Sequence, residues 1–361
     1  MEINEQKVVQ VLQTIKYPPK DQDIVSLNMV KELAFEEKTI SFTVVFDSFN
    51  NPHEKSIKAK ATEQLKAAFG SDIEVKIRAI GKVNVSKMNV KSSAPVKPPK
   101  SLPGVKHIIM VTSGKGGVGK STVAANLAIA LANSGNTVGL LDSDMWGPSI
   151  PKLLDMENAR PGGKKVNGKD VIIPIEKFGI KVISLGFFIK KEDAVIWRGS
   201  MVTNALKQLL NDVDWGDLDF MIIDLPPGTG DTQITLAQTV DASGAVVVST
   251  PQTVAVNDVR KAVNMFKAKG IDVPVLGIVE NMAWFTPNDC PDKKYYIFGK
   301  GGALQLADEF QIPLLGQIPI MEKIREDGDL GIPSALDTNS QQGNAFKEIA
   351  ENVMKQLKHK L

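Results

Sequence analysis

The chain has 361 residues, an apolar share of 43%, a net charge of +2 and one cysteine. That length suggests two domains with ample material for packed cores, and the near-neutral charge gives no global case for a nucleic-acid partner. One thiol excludes an internal disulfide, no apolar run approaches the roughly 18 residues that span a bilayer, and the acidic start Met1-Glu2-Ile3-Asn4-Glu5 is unlike a secretory signal, so the expected location is the cytoplasm, with no membrane partner.

Residues 1–81 read as a small α+β unit. Residues 5–15 place Val8, Val9, Leu12 and Ile15 at helical spacing, and Tyr17-Pro18-Pro19-Lys20 breaks that helix. Residues 24–35 and 39–46 read as strands, 53–69 as a helix and 73–80 as an alternating third strand. His53 reads as a helix-start residue, because no cysteine or second histidine lies near it in sequence to make a metal-ligand set. Residues 82–104 lose their apolar periodicity and bring Pro95, Pro98, Pro99 and Pro103 among lysines, the pattern of a semi-stiff linker. Residues 76–106 carry eight Lys or Arg and no acid, which fits either a solvated linker or a docking strip for a polyanion.

From residue 105 to 361 strand and helix patterns alternate. Strand-like runs at 107–112, 137–142, 180–185, 220–225, 245–250, 273–279 and 314–318 predict an α/β domain: a mainly parallel, doubly wound sheet covered by helices. Ligands of such folds lie beyond the carboxyl ends of the strands. The first of these strands runs into Ser113-Gly114-Lys115-Gly116-Gly117-Val118-Gly119-Lys120-Ser121-Thr122, which fits the phosphate-cradling pattern G-x-x-x-x-G-K-[ST] from Gly114 to Ser121. Glycines at 114, 116, 117 and 119 let the backbone turn its N–H groups inward, making an anion nest at a helix start. Lys120 then reaches the β- and γ-phosphates of ATP while the Ser121 hydroxyl sits on Mg²⁺.

Two strand ends supply carboxylates. Leu140-Leu141-Asp142-Ser143-Asp144-Met145-Trp146-Gly147-Pro148-Ser149 puts Asp142 and Asp144 two apart, on one side of an extended segment. One of them is expected to hold the P-loop or Lys120, the other to address the attacking water. Phe220-Met221-Ile222-Ile223-Asp224-Leu225-Pro226-Pro227-Gly228 is a buried strand delivering Asp224 to its tip, the arrangement that holds Mg²⁺ directly or through water, followed by a hinge whose Gly228 N–H is placed to sense a γ-phosphate. Asp231 beyond it reads equally as a helix cap. No Gln or Arg finger is evident; Lys120 and Mg²⁺ could supply the charge, joined, on the resemblance described next, by a partner's Lys115 once two subunits close, so an isolated monomer is expected to hydrolyse ATP slowly.

Lys115 extends the motif to G-K-G-G-V-G-K-[ST], which resembles the deviant P-loop ATPases: MinD, ParA, the nitrogenase iron protein and the Mrp/ApbC-type iron–sulfur carriers. The resemblance implies that Lys115 reaches across a homodimer interface to the partner's nucleotide, that the Asp142 to Ser149 loop is switch I with Asp144 acting on the water, and that Asn281 in Val279-Glu280-Asn281-Met282 recognises adenine. Pro251-Gln252 and Pro319, also at strand ends, are placed to wall that base pocket. The stretch from Asp23 to Val30 is similar to the signature of a small domain shared by iron–sulfur and ring-hydroxylase assembly factors, though Pro18-Pro19 and Pro52-His53 stand where that family often has an acid and a cysteine. With Ile297-Phe298-Gly299-Lys300-Gly301-Gly302, the whole chain resembles an Mrp/ApbC-type iron–sulfur cluster carrier, whose partners would be apoproteins or assembly scaffold proteins. A nucleotide-switched positioning ATPase of the MinD/ParA class is the alternative.

Many members of that family place C-x-x-C just before the Ile-Phe-Gly run, so that two subunits give a [4Fe–4S] cluster four thiolates. Here the segment reads Asp289-Cys290-Pro291-Asp292-Lys293, with Cys290 alone and Lys293 at the second spacing. Either outside ligands complete the set or Cys290 is a free surface thiol. Near the end, Phe346, Ile349, Val353, Met354, Leu357 and Leu361 make a helical stripe, read as core packing in preference to a membrane-surface helix.

Overall fold

The computed structural model describes residues 4–36, 39–46, 51–81, 102–166, 168–188, 199–287 and 289–358. The chain divides into two compact units. Most of the expected linker, residues 82–101, and with it most of the basic strip, lies outside the described residues.

In the N-terminal unit, α1 (Glu5–Leu12) is followed by a short hairpin of β1 (Lys16–Tyr17) and β2 (Gln22–Asp23), then by β3 (Val30–Glu36), β4 (Thr39–Phe46), α2 (Glu54–Phe69) and β5 (Glu74–Gly81). The sheet runs β3-β4-β5, antiparallel and then parallel. Val8, Leu12, Ile40, Phe46, Ile57 and Leu65 fill its core. Asn4 caps α1 by accepting the Lys7 N–H at 2.9 Å. The strand expected over 24–35 begins only at Val30. Asp23 Oδ1 accepts the N–H groups of Val25 and Ser26 at 3.0 and 2.7 Å and turns the chain instead. His53 stands at the cap position of α2 and meets the Tyr17 ring edge-on at 5.9 Å.

The chain continues with β6 (Val105–Ser113), α3 (Lys120–Asn133), β7 (Val138–Asp142), α4 (Ile150–Leu153), β8 (Gly162–Val166), β9 (Lys169–Ile173), β10 (Ile175–Lys177), β11 (Ile180–Ser184), α5 (Gly199–Asn211) and β12 (Leu218–Asp224), of which residues 163–170 fall in the first of the two units and the rest in the second. It ends with α6 (Asp231–Thr239), β13 (Gly244–Ser249), α7 (Thr253–Lys267), β14 (Val275–Phe285), α8 (Gly302–Phe310), β15 (Leu314–Ile320), α9 (Glu322–Leu330) and α10 (Gln341–Lys358). Among the described residues its main sheet has eight strands in the order β10-β11-β7-β12-β6-β13-β14-β15. All pairs are parallel except β10 with β11 at the edge.

Alternation along the central strands divides the core into two layers. Met110, Met221 and Ile223 pack on one face of the sheet. Ile109, Val111 and Ile222 pack on the other, beneath α3 and α10. Phe346, Ile349, Val353 and Leu357 of α10 are buried in that second layer, so the C-terminal stripe is core; Leu361 lies outside the described residues. No helix among the described residues is long and apolar enough to cross a membrane. Because β6, β7, β12, β13 and β14 run in one direction, their carboxyl ends gather Ser113, Asp142, Asp224, Ser249 and the Glu280-Asn281 pair along one edge.

Candidate active site

The P-loop joins β6 to α3. Gly117 and Gly119 have φ of +79° and +83°, the left-handed region where a Cβ is costly. Gly119 holds the cap position of α3, and a Cβ there would overlap the Asn281 amide. Gly116 and Gly117 have open space where a Cβ would stand. The loop is tied down from β14: Asn281 Nδ2 donates to the Val118 carbonyl at 2.8 Å.

Lys120 is buried, and its Nζ lies 2.5 Å from Asp224 Oδ1 and 3.2 Å from the Ser121 hydroxyl. Asp224 has no exposed surface, and its Oδ2 has no hydrogen-bond partner in the protein. Burial pushes the Asp224 carboxyl above the usual carboxylate range, and the Lys120 ammonium opposes the shift. A buried carboxylate oxygen without a partner is costly unless something else meets it. With the Ser121 hydroxyl beside the same lysine, this donor set is all oxygen and fits Mg²⁺.

Asp142 is equally buried. Its carboxyl, pushed up to about 8 by burial and by Asp224, accepts the Asp144 N–H at 3.1 Å, the Ile150 N–H at 3.3 Å and the Ser184 hydroxyl at 2.9 Å. It therefore organises its own loop, whereas the sequence spacing left open a bond to Lys120. Asp144 Oδ1 accepts the Gly147 N–H at 3.2 Å. Ser143 joins this loop to the tip of β12, donating to the Asp224 carbonyl from its N–H at 3.0 Å and from its hydroxyl at 2.6 Å.

The Pro226-Pro227 segment is held by Gln233, whose buried Nε2 donates to both proline carbonyls at 3.0 and 2.9 Å. The Gly228 N–H, expected to face a phosphate, donates to the Ser113 carbonyl at 2.9 Å. Helix α6 begins at Asp231, with Gly230 in the cap position. Lys115 points elsewhere than Lys120, its Nζ donating to Gln252 Oε1 at 3.2 Å.

A cavity of about 1130 Å³ is lined by Gly119, Thr122, Asn281, Met282 and Pro319 together with Trp146 and Ile324. Pro319 thus lines it, while Pro251 and Gln252 are absent from its wall. Next to Asn281, the buried Glu280 accepts the Ala303 N–H at 3.0 Å and the Gln317 amide at 2.5 Å, fixing the start of α8. At the end of β14, Phe285 pairs antiparallel with Tyr295, ahead of which the half-buried Cys290 donates its N–H to the Pro287 carbonyl and its own carbonyl accepts from the Lys293 N–H. Among the described residues no group of three or more His, Cys, Asp or Glu side chains gathers into a metal site.

Ser143, Ser184, Gln233 and Glu280 escaped the sequence reading, and Gln252 entered it as a wall of the base pocket and not as the partner of Lys115. Each acts through a contact with a residue distant in sequence or through a main-chain group, and a short polar side chain carries no motif for that.

A glycine nest between a parallel strand and its helix, with an apolar strand bringing an acid to the same lysine, defines a P-loop nucleoside triphosphatase. A family model described as NUBPL iron-transfer P-loop NTPase matches residues 104–354, and one described as iron–sulfur cluster assembly protein matches residues 5–77. An iron–sulfur cluster carrier protein of Synechocystis is 40% identical over 353 residues, covering 96% of each chain. One from Aquifex aeolicus is 50% identical over 266 residues, 73% of this chain and 71% of that protein. A solved nucleotide-binding protein of Archaeoglobus fulgidus in complex with ADP superposes with a TM-score of 0.58 at 38% identity, covering 68% of this chain and 93% of that one. The chain belongs to the iron–sulfur carrier family of P-loop NTPases.

Proposed function

We propose that the chain is an ATP-hydrolysing carrier that works as a homodimer, binding iron–sulfur clusters and passing them to apoproteins. The observation that carries the ATPase half is the buried Lys120–Asp224 pair with Asp224 Oδ2 left unpartnered beside it. The main-chain N–H groups of Gly114 to Gly119 and the Lys120 ammonium hold the phosphates. Thr122 and Asn281, which line the cavity, flank the ribose and base side; a nucleotide ligand is supported by the ADP named for the similar Archaeoglobus structure. Ser121 and Asp224 would hold Mg²⁺, which neutralises charge across the β- and γ-phosphates when bound. Asp144 orients the attacking water. Lys115 acts on the nucleotide of a second subunit, so hydrolysis by a lone subunit is slow.

The cluster is cargo, and one Cys290 per chain gives a dimer two thiolates, so an incoming thiol or a partner protein completes the set. The names of the relatives and the N-terminal assembly module support this half of the reading. Anaerobic reconstitution with iron, sulfide and a small thiol tests it. The expected result is a stoichiometric cluster on the wild-type dimer, by absorbance and iron counting, that Cys290→Ser loses; no stable cluster, with or without the thiol, would contradict it. Cys290 standing alone also favours a second reading, a nucleotide-switched scaffold without cargo. ATP-dependent co-sedimentation with anionic vesicles or DNA would support that one.

A further inference from the structure

The second lysine of the P-loop is held by a residue that belongs to neither the loop nor its strand. Gly114 has no room for a side chain: a Cβ there would overlap the main chain of Asp258 and Val259. The loop entry therefore lies directly on the second turn of α7. That close approach brings Gln252, the cap residue of α7, beside the loop. Its side chain makes no capping bond, and its Oε1 accepts Lys115 Nζ at 3.2 Å. The Lys115 carbonyl is fixed from the other side by the Ser113 hydroxyl at 2.9 Å. Gln252 itself stands on a firm corner, since Pro251 before it is buried and the Pro251 carbonyl closes the space a Cβ on Gly302 would need. Two lysines five residues apart are thus sent to different elements: Lys120 to the tip of β12, Lys115 to the corner between β13 and α7.

We propose that Gln252 is a positioning residue that pre-orients the Lys115 ammonium for the nucleotide of a second copy of this chain; this rests on the reading in which Lys115 acts across the dimer. A lysine side chain carries substantial rotamer entropy, and an acceptor at its tip removes the cost of choosing one direction. A neutral amide does so without cancelling the charge. Glutamate at the same place would hold the lysine but offset that charge, which is the physical reason for Gln here.

The test uses the full chain and four variants: Gln252→Met, which keeps length and packing but has no strong acceptor, Gln252→Ala, Gln252→Glu and Lys115→Ala. Amine-specific labelling of Lys115, read by mass spectrometry, reports the contact itself. Labelling is expected to rise about threefold in the Met and Ala variants and to stay low in Gln252→Glu, while kcat for ATP falls roughly tenfold in the Met and Ala variants with nucleotide affinity unchanged, as for loss of one hydrogen bond to a charged group. Unchanged labelling in Gln252→Met, or a wild-type kcat in it, overturns the proposal. An equal loss of nucleotide affinity overturns it as well, since that marks a general disturbance of the loop. If Lys115→Ala itself hydrolyses ATP at the wild-type rate, the reading of Lys115 fails, and the labelling still decides whether Gln252 holds it.

Discussion

Lys120 and Asp224 meet inside the protein although 104 residues separate them, and each is tolerable there only because of the other. Lys120→Ala is expected to lower ATP hydrolysis about 10²–10³-fold, the scale of losing one preorganised charge at a phosphoryl-transfer centre, measured as phosphate release under saturating ATP. The same residue type does different work at the opposite end of the strands. Asp219 accepts Lys106 Nζ at 2.6 Å and the Thr137 N–H and hydroxyl at 2.8 Å, and these bonds, that of Lys106 first, hold its carboxyl down to about 2. A carboxyl lowered on folding stabilises the protein above its unfolded value near 3.8 and loses that contribution as pH falls through its folded value. Asp219→Asn is therefore expected to lower the urea midpoint at pH 7, with the gap to wild type closing between about pH 4 and pH 2. A gap that persists at pH 2 would show that the bonds of the charged form are not its cause. The run from Gly114 to Ser121 was legible because its chemistry is local: eight neighbouring residues carry the whole loop. Gln252 was placed by sequence against the base pocket and stands instead on Lys115, 137 residues away, because only the bare backbone at Gly114 lets α7 come so close.

At the scale of elements, the central strands keep the site in place by burial on both faces. Ile222 of β12 is fully buried two residues before Asp224, in the layer beneath α3. Ile222→Ala is expected to cost about 2–5 kcal/mol of stability, the range for truncating a large core side chain, and chemical denaturation with and without ATP checks it. A loss below about 1 kcal/mol would mean that β12 is not the rigid support the site needs. Seven of the eight strands of the main sheet were legible from their apolar runs, since a parallel strand covered on both faces has little freedom to be polar. Less visible were β8, β9 and β10, short and largely polar or half-exposed, whose pairing depends on partners and not on pattern. The start of β3 was misplaced for a different reason. The apolar residues Ile24, Val25 and Leu27 suggested a strand, but the Asp23 carboxylate offered the Val25 and Ser26 N–H groups a closer acceptor.

At the scale of the molecule, the proposed reading joins a P-loop site to a cargo site within one NTPase unit through β14, which carries Asn281 against the P-loop and leads on to the turn of Cys290. The family was legible from the order of motifs along the chain. What the motifs left open is whether one subunit is enough, because a contact made across an interface leaves no trace in the spacing of residues within a chain. Mixing two inactive variants tests the shared site most directly. On the proposed reading Asp144→Ala removes the carboxylate that orients the water and Lys115→Ala the lysine that acts on the partner's nucleotide, and each alone is expected to be nearly inactive. Random pairing of the two in equal amounts gives heterodimers in which one of two sites has both groups, so the mixture is expected to recover about one quarter of the wild-type rate per subunit. A mixture no faster than the sum of its components would contradict a site completed by the second subunit.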